Sequence, residues 1–114
     1  MAILRYDKAP VKTVKQGVKR YLLHGQDLMT VVIDFTNGPW AEPEPFHSHA
    51  HEQTSYVASG EIIFFCEGEP DEHLGEGDMF YVPSNKKHTI QLLSVTARLI
   101  DSFNPIREDF LEHR

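Results

Sequence analysis

Three of the seven histidines in this 114-residue chain, His47, His49 and His51, lie within five positions of one another. On an extended backbone His47 and His49 point to the same face, which places their imidazoles side by side. Two adjacent imidazoles on an inward face require either a metal ion or a costly burial. The cluster therefore predicts a metal site, with an exposed histidine-rich loop as the alternative.

Two further side chains are candidates to join this pair of imidazoles. Gln53 can join them if the chain bends directly before it and continues as a strand, in which case His51 lies in the bend and need not be a ligand. His88 shares a parity with Ile90 and Leu92, which predicts an inward direction. A single histidine on such a face is more often an ordinary core residue, but His88 would complete a set of three imidazoles.

Short strands must position these residues. Apolar side chains recur at period two and are separated by turns rich in Gly, Pro and Asn, which predicts an all-β sandwich or barrel. The predicted strands are Val18–His24, Met29–Phe35, Thr54–Ser59, Glu61–Cys66, Met79–Val82, His88–Ser94 and Thr96–Phe103. A stiff proline-rich loop leads into the histidine cluster, and one helical turn is expected over Arg107–Leu111.

Composition narrows the class of protein. The length predicts one domain over residues 1–114, and the single cysteine, Cys66, can form no intrachain disulfide. A net charge of −6 argues against nucleic acid or anionic membrane as a partner. No apolar run approaches the roughly 20 residues of a membrane span. Arg5, Asp7 and Lys8 stand where a signal peptide would be apolar, so we expect a cytoplasmic protein.

The two histidine segments resemble the two sequence motifs of the cupin superfamily. The first cupin motif has His-x-His, a Glu three or four residues later and a Gly after six more. The second has Gly, five residues, Pro-x-Gly, two residues and His. The corresponding residues of this chain are His47, His49, Gln53 and Gly60, and then Gly77, Pro83, Asn85 and His88. The chain departs from the pattern in Gln53 for Glu, Asn85 for Gly and Leu92 for a final Asn.

This resemblance implies an all-β, single-domain double-stranded β-helix, a jelly-roll-like barrel with one divalent transition metal inside. Small single-domain cupins are commonly dimers, so we expect a homodimer. Three neutral imidazoles and a neutral amide would leave the charge of the metal uncompensated, which favours an anionic ligand and Lewis-acid chemistry. Nitrogen-rich ligation suits Zn, Ni, Fe, Co or Mn, and the sequence does not choose among them.

The last predicted strand carries a carboxylate whose direction the alternation leaves open. Asp101 shares a parity with Ala97 and Leu99, which suggests the interior face. A shift of one residue in register would instead turn Asp101 to solvent and Ile100 to the core. An interior carboxylate is costly unless it is paired or acts near a metal.

The end of the chain is similar to that of the KdgF family of pectin and alginate degradation. These short cupins share the pattern Asp-x-Phe-x-Pro-x-Arg-Glu-Asp-Phe, found here at 101–110, and the HSH-x-HEQ form of the first motif. They open the ring of 4,5-unsaturated uronates, which are small anionic sugar acids, to a linear keto acid. The resemblance implies metal ligands at His47, His49, Gln53 and His88, catalytic roles for Asp101 and Arg107, and substrate binding by Phe103 and Arg107.

Two other functions remain open from the sequence. A cupin oxygenase could act on a small organic acid with a redox metal on the same ligands, and it would require oxygen. A non-catalytic module could bind a metal and a sugar acid as a sensor. The ring-opening reaction is favoured because of the tail motif that resembles the KdgF family, and its chemistry fits the residues: Arg107 can bind a carboxylate with its planar fork, and Asp101 can accept the anomeric proton.

Overall fold

The computed structural model describes residues 3–111, and nine strands contain nearly half of this part of the chain. They are β1 Lys12–Lys15, β2 Val18–His24, β3 Met29–Phe35, β4 Glu52–Ser59, β5 Ile62–Cys66, β6 Glu72–Leu74, β7 Met79–Val82, β8 His88–Leu92 and β9 Ala97–Asn104. Short 3-10 turns cover Tyr6–Lys8 and Glu108–Phe110. The predicted all-β fold is confirmed. No helix among the described residues is long and apolar enough to cross a membrane.

The strands form two antiparallel sheets. One has six strands in the order β1-β2-β3-β9-β4-β7, and the other has three in the order β6-β5-β8. Alternate side chains on the inner strands are buried, as the period-two pattern predicts. On β9 the buried parity includes Asp101, which is 5% exposed, so the register that points this carboxylate inward is the one observed. Cys66 is buried as a small core residue.

The strands β1 and β6 were missed by the sequence analysis. Both are short, and most of their side chains are polar and exposed, so neither carries a periodic apolar signal. Each forms because the neighbouring strand, β2 or β5, offers an unpaired edge. The turn at Glu108–Phe110 confirms the single helical turn expected in the tail.

The proline-rich loop is fixed along β8 by hydrogen bonds. Backbone bonds join the nitrogen of Trp40 to the carbonyl of Leu92 at 2.8 Å and that of Glu44 to Ile90 at 3.2 Å. The Thr89 hydroxyl also donates to the Glu44 carbonyl at 2.8 Å. The loop therefore extends the three-stranded sheet and delivers the histidine cluster to a fixed place.

A glycine between β4 and β5 lets these strands approach β9 closely. Gly60 has a φ of +88°, and a Cβ there would lie 2.6 Å from the carbonyl oxygen of Thr96 and from the Cβ of Ala97. We expect Gly60→Ala to lower the free energy of unfolding by about 2 kcal/mol or more, since strain and overlap act together. Gly25→Ala is the control, because no atom lies within 4 Å of its added Cβ. Equal denaturation midpoints for the two variants would contradict this account.

Candidate active site

A cavity of about 240 Å³ opens inside the barrel and contains most of the residues singled out from the sequence. Its lining includes His47, Gln53, His88, Asp101, Phe103 and Arg107. His49 lies against this group, with its ring centroid 4.9 Å from that of His88 and 5.8 Å from that of Phe103. The seven predicted residues are therefore brought together, and they come from both sheets, the proline-rich loop and the tail.

Three imidazoles form the centre of the cluster. One ring nitrogen each from His47, His49 and His88 lies within 4.8 Å of the other two. His47 and His49 do not lie on a continuous strand, contrary to the expectation from sequence: His47 forms an isolated backbone bridge to His88, and His49 follows in irregular chain. Because that bridge is made by backbone bonds of 3.1 and 2.9 Å, it fixes two of the three rings relative to each other.

Backbone carbonyls select the ring nitrogens that face the cluster. The Nδ1 of His49 bonds the carbonyl of His51 at 2.8 Å, and the Nδ1 of His88 bonds that of Lys86 at the same distance. A nitrogen that bonds a carbonyl must carry a proton, so Nε2 of each neutral ring presents a lone pair. Burial lowers the pKa of all three imidazoles, that of His88 to about 4. The rings are neutral at pH 7, as metal ligation requires.

One contact between two of these candidate ligand side chains is unfavourable unless a cation lies near both. Nε2 of His49 lies 3.1 Å from Oε1 of Gln53, so two lone pairs face each other. Two acceptors this close repel unless a proton or a metal ion lies within reach of both. The low pKa of His49 disfavours the proton. The residues present therefore fit a nitrogen-rich cation site with an amide oxygen beside it.

A chain of hydrogen bonds links Gln53 to the buried carboxylate. The Ser55 hydroxyl donates to Oδ1 of Asp101 at 2.6 Å and accepts from Nε2 of Gln53 at 2.9 Å. Because an ionised carboxylate only accepts, the single proton of Ser55 must point to Asp101, and Gln53 must be the donor behind it. A glutamate at position 53 could not supply that donor.

Burial gives the carboxylate a pKa suited to proton transfer. The loss of solvent raises the pKa of Asp101 to about 6, while the hydrogen bond from Ser55 and the positive charge of Arg107 act in the opposite direction. Asp101 therefore exchanges a proton near neutral pH, where a general base is most effective.

The tail brings Arg107 to the cavity with one of its edges already engaged. Its Nε and Nη2 donate to the two carboxylate oxygens of Asp109 at 3.1 and 2.7 Å. Its guanidinium carbon lies 5.2 Å from the ring centroid of Phe103 and 4.2 Å from that of Phe110. The sequence analysis assigned the guanidinium of Arg107 to a substrate carboxylate. Asp109 occupies its Nε–Nη2 edge, which leaves the Nη1 edge for a ligand.

Sequence reasoning missed two polar residues of this site. Ser55 is 2% exposed and has the parity of Gln53 and Val57 on β4, so strand alternation was the available signal. Arg20 lines the cavity from β2, where it shares its parity with the buried Val18. Its position between inward-facing apolar residues was the corresponding signal.

Similarity to known proteins now identifies the family. Residues 36–103 match the profile of the Cupin domain family. The chain is 36% identical over 107 residues to the "Pectin degradation protein KdgF" of Dickeya dadantii, a match that covers 92% of this chain and 94% of the relative. The chain belongs to the KdgF family of cupins.

Solved structures of similar proteins agree with this assignment to the KdgF family. KdgF from Halomonas sp. superposes with a TM-score of 0.84 at 31% identity, with 96% of this chain and 99% of that chain covered. An RmlC-like cupin from Shewanella frigidimarina gives a TM-score of 0.85 at 34% identity and 96% coverage of both chains. A shorter match, 41% identical over 44 residues, joins 39% of this chain to 22% of the "Dimethylsulfoniopropionate lyase DddQ" of Ruegeria pomeroyi.

The three-histidine cluster predicts which side chain metal binding depends on. His49→Ala removes one of the three clustered nitrogens and is expected to reduce bound divalent metal at least tenfold, measured by elemental analysis after dialysis. His51→Ala is the matched control, because His51 lies in the bend with its ring 5.6 Å from that of His49 and outside the three-histidine cluster. Equal metal loss from both variants would show that the ligand set is wrong.

The hydrogen bond between Ser55 and Asp101 predicts a pH dependence of turnover. Ser55→Ala removes the hydrogen bond that lowers the pKa of Asp101, and a bond to an ionised group contributes about 1.5–3 kcal/mol. Since one pKa unit corresponds to about 1.4 kcal/mol, the acidic limb of the pH–rate profile should move up by about one to two pH units. Ser55→Thr retains the hydroxyl and should restore the limb. An unchanged acidic limb in Ser55→Ala would show that the ionisation of Asp101 does not control the rate of turnover.

Proposed function

We propose that this protein is an enzyme that opens the ring of 4,5-unsaturated uronate monosaccharides and releases a linear keto acid. The observation that carries the proposal is a buried carboxylate, Asp101, whose pKa lies near 6 in the same cavity as three neutral imidazoles and a guanidinium. Membership of the KdgF family supports it, because the relative from Dickeya dadantii is named as a pectin degradation protein.

The size and charge of the cavity fit a small sugar acid. Its volume of about 240 Å³ is below the usual range for drug-sized ligands, which favours a single sugar ring over an oligosaccharide. Arg107 offers positive charge on one side, and the aromatic ring of Phe103 offers a flat apolar face. A monouronate has a carboxylate for the former and ring carbons for the latter.

The reaction needs one proton acceptor and no redox partner. Asp101 accepts the proton of the anomeric hydroxyl, and the electron pair that remains forms the aldehyde at carbon 1 as the bond from carbon 1 to the ring oxygen breaks. The ring oxygen leaves as an enolate conjugated with the carboxylate. A proton then adds at carbon 4 and gives the ketone at carbon 5. Atoms and electrons balance, so the reaction is an isomerisation.

The metal ligands in this proposal are His47, His49, His88 and Gln53. A divalent ion bound there supplies a positive charge that polarises the oxygen atoms of the substrate. Ser55 keeps Asp101 oriented and ionised. Phe103 lies two residues after Asp101 on β9 and excludes water from the sugar ring of the substrate. Arg107 orients the substrate through its carboxylate, which places the anomeric hydroxyl toward Asp101.

The proposal predicts a spectroscopic change. The purified, metal-loaded protein should lower the ultraviolet absorbance of a 4,5-unsaturated galacturonate or its alginate-derived counterpart, because the conjugated double bond is lost. The rate should exceed that of the same metal in buffer, which corrects for spontaneous opening. Chelator should abolish the excess, and removal of oxygen should leave it unchanged.

Asp101→Asn provides the matched control, since it retains the shape and removes the base. Turnover should fall at least a hundredfold with bound metal and thermal stability retained. Oxygen consumption with an organic acid would replace the proposal by an oxygenase, and turnover of dimethylsulfoniopropionate would replace it by a lyase. Binding of a sugar acid without turnover would indicate a non-catalytic module.

A further inference from the structure

A charged residue interrupts the inward face of β2. Arg20 shares its parity with Val18, which is buried in the main core, and with Leu22, which packs on Met29 and Val31. A guanidinium on an inward face is costly to bury unless it meets a partner or a ligand. Arg20 is half-buried and lines the cavity that holds the histidine cluster.

The neighbouring cations Lys15 and Arg107 each form a direct ion pair with a carboxylate, whereas Arg20 is attracted by the Asp109 carboxylate without pairing with it. Arg107 donates both hydrogen bonds of one edge to Asp109, and Lys15 pairs with Glu44 at the rim of the cavity. Among residues 3–111, Arg20 forms no hydrogen bond or ion pair with a carboxylate. Its described contact is with an aromatic ring, that of Phe110.

The ring of Phe110 contacts both guanidiniums that line this cavity. The guanidinium carbon of Arg20 lies 3.9 Å from the ring centroid of Phe110, and that of Arg107 lies 4.2 Å from the same centroid. Contact with a ring fixes the position of a guanidinium while its N–H edges stay available for a planar acceptor. Asp109 neutralises one of the two charges, which leaves the equivalent of one positive charge at this wall.

We propose that Arg20 is a substrate-binding residue that receives the anionic group of the substrate together with the free edge of Arg107. The proposal rests on the proposed function and adds its specificity: the cavity selects a monoanionic, planar carboxylate against a neutral sugar of the same shape. A substrate carboxylate at this wall offsets the positive charge that Arg20, Arg107 and Asp109 together leave, and it can accept hydrogen bonds from a guanidinium edge.

The test removes the positive charge of Arg20 and, as a control, that of Lys19 on the same strand. Arg20→Gln should raise KM for the unsaturated uronate at least tenfold with a much smaller change in kcat, while bound metal stays at the wild-type level. Arg20→Lys keeps the charge without the planar fork and should fall between the two. Lys19→Gln removes the same charge from the exposed face of β2 and should leave KM unchanged.

A binding measurement separates this proposal from the reaction itself. Galacturonate and galactose differ by the carboxylate, so the metal-loaded wild-type protein should gain thermal stability from galacturonate and little from galactose. Arg20→Gln should abolish that difference, and Lys19→Gln should keep it. The assay reports on Arg20 even if the unsaturated uronates are not turned over, which would overturn the proposed reaction alone.

Two results would overturn the role of Arg20. One is a preference for galacturonate that survives in both Arg20→Gln and Arg20→Lys and disappears in Arg107→Gln. The other is a wild-type protein whose melting temperature responds equally to the two sugars. If Arg20→Gln does not fold, Arg20→Lys serves as the test. An unchanged KM and an unchanged preference for galacturonate over galactose in Arg20→Lys would also contradict binding of the substrate by the planar guanidinium of Arg20.

Discussion

A carboxylate held inside the barrel, at Asp101, constrains the polar groups around it. With solvent excluded, it needs a hydrogen-bond donor, and Ser55 supplies its only proton in that direction. Ser55 must then accept from the amide of Gln53, whose oxygen is left facing the lone pair of His49. One buried charge thus sets the direction of each hydrogen bond up to the imidazole cluster. The same argument gives a physical reason for an amide where other cupins have a carboxylate.

The fold could be predicted wherever burial leaves a period-two pattern. The alternation on β3, β4 and β9 is read correctly because one face of each strand is buried. The alternation left the direction of Asp101 open, and the structure turns this side chain inward, on the parity of the almost fully buried Leu99 and Phe103. Strands β1 and β6 could not be predicted, because exposed edge strands need no apolar face and depend on pairing that lies far away in the sequence.

The sequence predicted which residues form the candidate site better than it predicted how they are positioned. Motif spacing predicted the three clustered histidines, although His47 and His49 lie on irregular chain held by a bridge to β8 and not on a strand. The pairing of Arg107 with Asp109 depends on the turn that brings position 109 back toward 107, and sequence alone gives no measure of that geometry. Arg20 was not predicted as a site residue, because a single charged residue in an apolar strand is usually taken as an exception to the alternation without functional meaning.

The imidazole cluster brings together side chains from parts of the chain that are far apart in the sequence. His88 belongs to the three-stranded sheet and Gln53 to the six-stranded sheet, whereas His47 lies in the loop from β3 to β4, which runs along β8. An ion bound by these side chains is therefore a cross-link that exists only in the folded chain, because the unfolded chain cannot assemble the same ligands. By mass action, each tenfold rise in free ion above its dissociation constant adds about 1.4 kcal/mol to the stability of the barrel. In the proposed metal-loaded state, the concentration of free metal would therefore also determine how resistant the barrel is to unfolding.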